Sequence, residues 1–177
     1  MAFKRNLTLL IIGLGLTCLP LYPAQANQIS TVTPNTAANQ TLATHLVLKL
    51  KERKVYVYQD KQLLAQFTVA VGKKGWETPT GKFEVRELVR NPVWKSPWTG
   101  KVSAPGPNSA LGERWIGFWS DGKNSIGFHG TPAENSLGTA ASHGCVRMRN
   151  RDVKVLFDLV RMGTPVIVQP LFWQVFF

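Results

Sequence analysis

The chain has 177 residues, enough for one domain that buries a core without disulfide staples. Its 21 basic and 10 acidic residues give a formal charge of +11, which suits a polyanionic partner or a solubilising surface; no nucleic-acid-binding motif accompanies that charge. Two cysteines, Cys18 and Cys145, are too few for a disulfide framework.

Residues 1–26 combine Lys4 and Arg5, an apolar run from Leu7 to Leu21 broken by Pro20, and Ala24-Gln25-Ala26, the pattern of a cleaved signal peptide. The run falls short of the ~20 apolar residues that span a bilayer, which argues against an uncleaved anchor. Thr17 stands where a lipoprotein site on Cys18 wants Gly, Ala or Ser. Cleavage after Ala26 takes two positive charges out of the +11 and leaves Cys145 as the one cysteine of an exported chain. An unpaired thiol in an oxidising compartment is either buried or used. Residues 27–43, mostly Asn, Gln, Thr and Ala, read as a flexible linker with little to bury. The predicted domain spans 44–170. An apolar tail, LFWQVFF at 171–177, is left open between covering a sheet edge, touching a membrane and self-association, and membrane contact is expected only through the signal peptide or this tail.

Within the domain the pattern is mainly β. HLVLKLKERKVYVYQD alternates apolar and polar residues on both sides of Lys51 to Arg53, which predicts a hairpin with Leu46, Leu48, Leu50, Val55 and Val57 inward and Tyr56 and Tyr58 outward. LLAQFTVAVGK reads as a third strand ending at Gly72. His45 sits at the domain's edge and is assigned no role. GWETPTG, from Gly75 to Gly81, is a loop setting the register of a KFEVREL strand, with Trp76 at its rim. Asn91 to Gly112 is long and rich in Pro, Trp and Gly. Such loops are usually functional or mobile, and Trp94 and Trp98 are divided between covering a cleft and packing the loop down. ERWIGFWS and NSIGFHGT read as strands joined at Asp121-Gly122, the second delivering His129 at its end. Asn150 is expected to cap a helix, RDVKVLFDLVRM, with Asp152 in its first turn, a Val153, Leu156, Phe157, Val160 stripe against the sheet, and Gly163 as its stop. Thr164 to Gln169 returns as the last strand.

Chemistry concentrates in HGTPAENSLGTAASHGCVRMRNR, from His129 to Arg151. Thiols attack carbonyls as thiolates and need help to ionise near neutrality. Cys145 has His143 two residues upstream and His129 sixteen upstream. Gly144, without a Cβ, lets the backbone turn amides toward a developing oxyanion. Gly130 offers a carbonyl able to fix the His129 tautomer, the part a carboxylate plays in serine hydrolases. Residue chemistry alone leaves Cys145 open between nucleophile, buried hydrophobe and metal ligand, although no second Cys stands at ligand spacing and no metal or other cofactor is expected.

The pattern His129-Gly130-Thr131, a spacer, then Ser142-His143-Gly144-Cys145-Val146-Arg147 resembles the catalytic signature of the L,D-transpeptidase (YkuD-like) family. TPTGKF at Thr78 to Phe83, LGERWIGF at Leu111 to Phe118 and the Gly163 to Val168 exit match it as well. The resemblance covers about Leu46 to Val168 and implies a mainly β, L,D-transpeptidase-like β-sandwich with one helix following the nucleophile loop. It implies an enzyme of cell-wall biogenesis, periplasmic or secreted to the wall, that acts on peptidoglycan stem tetrapeptides. Cys145 would take the acyl group as a thioester with release of D-Ala, and an amine of a neighbouring stem, or of a protein to be anchored, would resolve it. By the same resemblance His129 is the proton donor and acceptor, Gly130 orients it through the main chain, and His143 and Gly144 shape the oxyanion cleft. Arg147, Ser142 and Trp98 are the expected substrate contacts. For Arg147 the alternative is a salt bridge at the foot of the cleft. Water as acceptor would give an L,D-carboxypeptidase or endopeptidase, and an inert Cys145 would leave a wall-binding module. Papain-type and NlpC-type thiol proteases place Cys before His, the reverse of the order here.

Overall fold

The computed structural model describes residues 42–170. The expected signal peptide, nearly all of the linker and the apolar tail lie outside them. The described strands in chain order are β1 (His45–Lys49), β2 (Lys54–Gln59), β3 (Gln62–Thr68), β4 (Val71–Gly72), β5 (Gly81–Glu84), β6 (Glu87–Arg90), β7 (Trp94–Lys95), β8 (Val102–Ser103), β9 (Arg114–Ser120), β10 (Ser125–Thr131), β11 (Ala140–Ser142) and β12 (Val146–Arg149). Helix α1 (Asn150–Leu159) and strand β13 (Pro165–Gln169) follow. The mainly β expectation with one helix after the Cys145 loop is met.

Two sheets enclose one core. The first has the order β3-β2-β1-β13-β5 and the second β12-β10-β9-β6. Alternation accounts for the inner faces: Leu46, Leu48, Val55, Val57, Val166 and Val168 from the first sheet pack in one cluster with Ile116, Phe118, Phe128, Val146 and Met148 from the second. The β1–β2 hairpin forms as predicted, with Leu46 opposite Val57 and Leu48 opposite Val55. Helix α1 buries Val153, Leu156 and Phe157 against the same core, and Arg90 and Arg114 lie over the Phe157 ring at 4.7 and 5.4 Å.

Several predicted strands break where the chain changes partners. The third strand stops at Thr68 instead of Gly72. Val69 donates to the Arg53 carbonyl, and Ala70 then exchanges hydrogen bonds with Arg147 before β4 pairs in parallel with β11. KFEVREL likewise divides: β5 pairs with β13 in one sheet and β6 with β9 in the other, with Val85 buried at the crossing. The long 91–112 loop contains a small β7–β8 hairpin, Trp94 opposite Ser103. The β9–β10 connection at Asp121 forms as expected, its carboxylate accepting from the Lys123 and Asn124 amides.

Asn150 does not cap the helix. Arg149 holds the N-cap position without a side-chain cap bond, and the helix ends at Leu159, before Gly163. The Asn150 side chain is spent elsewhere. Its Oδ1 accepts from the Glu113 amide at 3.2 Å and its Nδ2 donates to the Pro107 carbonyl at 3.0 Å, which ties the end of the long loop to the helix. The amide passes between Gly112 and Gly130, where a Cβ would stand 2.1 and 2.0 Å from Oδ1. Gly112 is also left-handed, at φ 62. We expect Gly112→Ala to cost on the order of 2–4 kcal/mol in urea unfolding, from the clash and the backbone strain together. Combined with Asn150→Ala, the loss should be smaller than the sum of the two single losses, because Asn150→Ala removes one of the clashing atoms.

Candidate active site

The second sheet brings the reactive stretch together. Strands β10 and β12 run parallel, with Phe128 beside Val146 and His129 beside Arg147. Phe128 and Val146 point into the core and are fully buried. His129 and Cys145 flank that buried pair and line one groove of about 890 Å³, together with His143, Gly144, Ser142 and Arg147. The β9–β10 ladder is irregular between Ile126 and Gly127, where Phe118 of β9 is passed over. The backbone there faces the thiol: Cys145 Sγ lies 3.7 Å from the Ser125 carbonyl.

His129 is 4% exposed, and its Nδ1 lies 2.6 Å from the Gly130 carbonyl. A carbonyl only accepts, so Nδ1 carries the proton and Nε2 presents a lone pair. Burial pushes the imidazole down from 6.5 to about 4; the bond to Gly130 opposes this shift and the Arg147 cation adds to it. Burial pushes the Cys145 thiol up, opposed by the Gly127 amide and Arg147. Both shifts favour the uncharged forms, the thiol and the neutral imidazole.

The loop carrying Cys145 is braced from within. Gly144 has φ 107, and a Cβ there would stand 2.8 Å from Ile126 Cδ1, so glycine is required by conformation and by space. Its amide does not face the groove as expected, because it donates to Ser142 Oγ at 3.1 Å. Ser142, an expected substrate contact, is only 1% exposed, and its hydroxyl donates to the Cys145 carbonyl. Its polar atoms are committed inside the loop. Thr78, read from the sequence as part of a register-setting turn, is buried beneath it. Thr78 Oγ1 donates to the Gly144 carbonyl at 2.8 Å and accepts from the Gly72 amide at 3.0 Å.

His143 is exposed and wedged between two indoles, with ring centroids 4.9 Å from both Trp76 and Trp98. Its imidazole is pushed down, by desolvation first and then by the Lys73 and Arg147 charges. Trp76 and Trp98 stand at the groove's rim, 50% and 61% exposed. Arg147 lines the groove and forms no salt bridge among the described residues, contrary to the ion-pair alternative. His45 is remote from the groove, stacked on Tyr58 at 5.0 Å. Among the described residues no group of three His, Cys, Asp or Glu side chains gathers as a metal site. The sequence assigned no role to Trp115, which lies inside the LGERWIGF match and whose ring stands 6.1 Å from that of His129, or to Glu87 beside the groove, which accepts from the Trp115 indole. Only strand register brings them together.

Since the His129 midpoint lies below that of the unfolded chain, protonation favours unfolding. The contribution of this residue is intact above about pH 6.5 and is lost as the pH falls toward 4. NMR titration of the folded domain should place the His129 ring near 4, and Arg147→Met should move that midpoint upward by removing a cation.

Comparison with known proteins places this geometry. A family model described as the L,D-transpeptidase catalytic domain (YkuD) matches residues 43–168. YqjB of Bacillus subtilis (strain 168), a provisionally named L,D-transpeptidase, is 32% identical over 126 residues, covering 70% of either chain. Among solved structures, the Ldtfm–avibactam carbamoyl enzyme aligns with a TM-score of 0.61 at 25% identity, over 72% of this chain and 49% of that one. The catalytic domain of the Enterococcus faecium L,D-transpeptidase, solved by NMR, aligns with a TM-score of 0.56 at 22% identity, over 74% and 99% of the two chains, a likeness of fold. This chain spans about half the length of the longer solved protein.

Proposed function

This chain belongs to the L,D-transpeptidase (YkuD) catalytic-domain family, and from that premise we propose that Cys145 accepts an acyl group from a peptidoglycan stem tetrapeptide and passes it to an amine. The observation that carries the reading is a half-buried thiol and a buried imidazole on one groove, with the imidazole's Nε2 left as a lone pair by the Nδ1 bond to Gly130.

Because burial favours the uncharged form of both groups, proton transfer accompanies attack on this reading. His129 Nε2 takes the thiol proton as Sγ bonds to the carbonyl carbon of the third stem residue. The imidazolium is held meanwhile by the Gly130 carbonyl. It then protonates the departing amine, D-Ala leaves, and a thioester remains on Cys145. An acceptor amine attacks that thioester and gives a proton to His129, which returns it to the sulfur as the tetrahedral adduct collapses. The products are a cross-link between the third residues of two stems, or a protein anchored to a stem. With the Gly144 amide held by Ser142, oxyanion stabilisation passes to the Cys145 amide, flanked by the main chain of His143. Arg147, a groove cation without a salt-bridge partner among the described residues, is suited to a stem carboxylate, and Trp98 to the stem's apolar surface. The place of action on this reading is the periplasm or the cell wall.

Mass spectrometry after incubation with a disaccharide-tetrapeptide should show a thioester adduct on Cys145 and a dimeric product, both lost in Cys145→Ala while the folded state persists. Tripeptide without dimer would make water the acceptor and the enzyme a carboxypeptidase. Absence of adduct and product would leave a wall-binding module.

A further inference from the structure

The groove floor contains a contact that the proposed chemistry has not used. Trp115 of β9 sits directly opposite His129 of β10, and the two rings lie 6.1 Å apart at 28°. The indole is 7% exposed and lines the groove. Its Nε1–H donates to Glu87 Oε2 at 2.7 Å, a charge-assisted bond. Glu87 belongs to β6, where its register partner on β9 is Gly117, two residues beyond Trp115. Glu87 and Trp115 are therefore diagonal neighbours on one sheet face, the longer of the cross-strand reaches.

They meet because nothing stands between them. A Cβ on Gly117 would lie 3.0 Å from Trp115 Nε1 and 3.1 and 3.2 Å from Glu87 Cβ and Oε2. Glu87 also forms no ion pair among the described residues, although Arg86 is its neighbour in sequence. Its carboxylate, on an exposed residue, bonds the Trp115 indole. A tryptophan side chain has two rotatable bonds, and a strong bond at Nε1 fixes the second of them once packing has fixed the first. The imidazole, in turn, has one bond at Nδ1 and needs a wall to stop it tilting about that bond.

We infer that Glu87 is a positioning residue for His129, acting through the Trp115 ring, which it holds against the imidazole so that Nε2 stays directed along the groove toward Cys145. The inference rests on the reading of His129 as the base. The Gly117 gap, the Glu87–Trp115 bond and the Trp115–His129 contact form one path across β6, β9 and β10.

The experiment is steady-state release of D-Ala from a disaccharide-tetrapeptide by the wild type, Glu87→Leu, Glu87→Gln and Trp115→Phe. Glu87→Leu loses the acceptor and should lower kcat on the order of tenfold with KM within about twofold, since misalignment of a base acts on the chemical step. Trp115→Phe keeps an aromatic wall without the donor and should show the same deficit, which keeps the inference testable if Glu87→Leu fails to fold. Glu87→Gln retains an acceptor and should stay within about twofold of wild-type kcat. Wild-type kcat in both Glu87→Leu and Trp115→Phe, a change confined to KM, or a Glu87→Gln variant as slow as Glu87→Leu would overturn it. If the wild type itself releases no D-Ala, the functional reading fails first and this inference falls with it; if the wild type is active and the variants match it, the inference fails alone.

Discussion

Among the described residues the buried imidazole of His129 has no carboxylate partner and is held by one hydrogen bond, from Nδ1 to the carbonyl of the next residue, Gly130. Most of the second sheet can be understood as what keeps that carbonyl still. Gly130 pairs with Met148 across the parallel β10–β12 ladder, and Asn150 passes so close to it that no side chain fits. Asn150 is anchored in turn to Pro107 and Glu113 at the end of the long loop, while Lys154 bonds the Glu113 carboxylate at 2.7 Å. A neutral carbonyl cannot drift into an alternative ion pair as a carboxylate can. Its position depends wholly on the chain around it, so helix, loop and two strands converge there.

The thiol is placed by a different device. Ala70, Val71 and Lys73, beyond the end of β3, donate to the carbonyls of Arg147, Thr139 and Ser142 in succession, and Thr78 then props the Gly144 carbonyl from below. The Cys145 loop thus rests on segments that begin in the opposite sheet, and its internal bonds between Ser142 and the Gly144 and Cys145 main chain make it stiff. Stiffness matters because burial favours the uncharged form of both groups. A thiolate–imidazolium pair would pull itself together by Coulomb attraction, whereas two neutral groups stay in register only if the backbone keeps them there.

How far the sequence foretold this follows from how local each feature is. The β1–β2 and β9–β10 hairpins and the Val153, Leu156, Phe157 stripe depend on neighbours within a few residues and were readable from periodicity. The Cys145–His129–Gly130 group was readable because its members lie within one stretch whose order matches a family. The breaks after Thr68 and Glu84 were not readable: the residues go on alternating while the chain changes partners, and partner choice leaves no mark on alternation. Asn150 looked like a cap because Asn before a helix usually is one, but two backbone groups of the 107–113 loop outcompete the helix amides for it. The engagement of Ser142 with Gly144 and the alignment of Glu87 over Gly117 depend on conformations and registers that residue types do not encode.

Arg147 joins these parts electrically. As a groove cation it lowers the basicity of His129 and His143 and opposes the rise of the Cys145 thiol. It therefore favours a neutral imidazole and, against burial, ionisation of the sulfur. On the proposed reading a substrate carboxylate would lie against this guanidinium and cancel much of its field, which is felt strongly where water is excluded. His129 would then become a better base at the moment a stem peptide is seated, and burial of the groove beneath the peptide would hold the thiol protonated until the carbonyl is in reach. On this reading a cation without a salt bridge among the described residues, beside a neutral imidazole, links occupancy to proton transfer, which a permanent Arg147 salt bridge at the foot of the cleft would prevent.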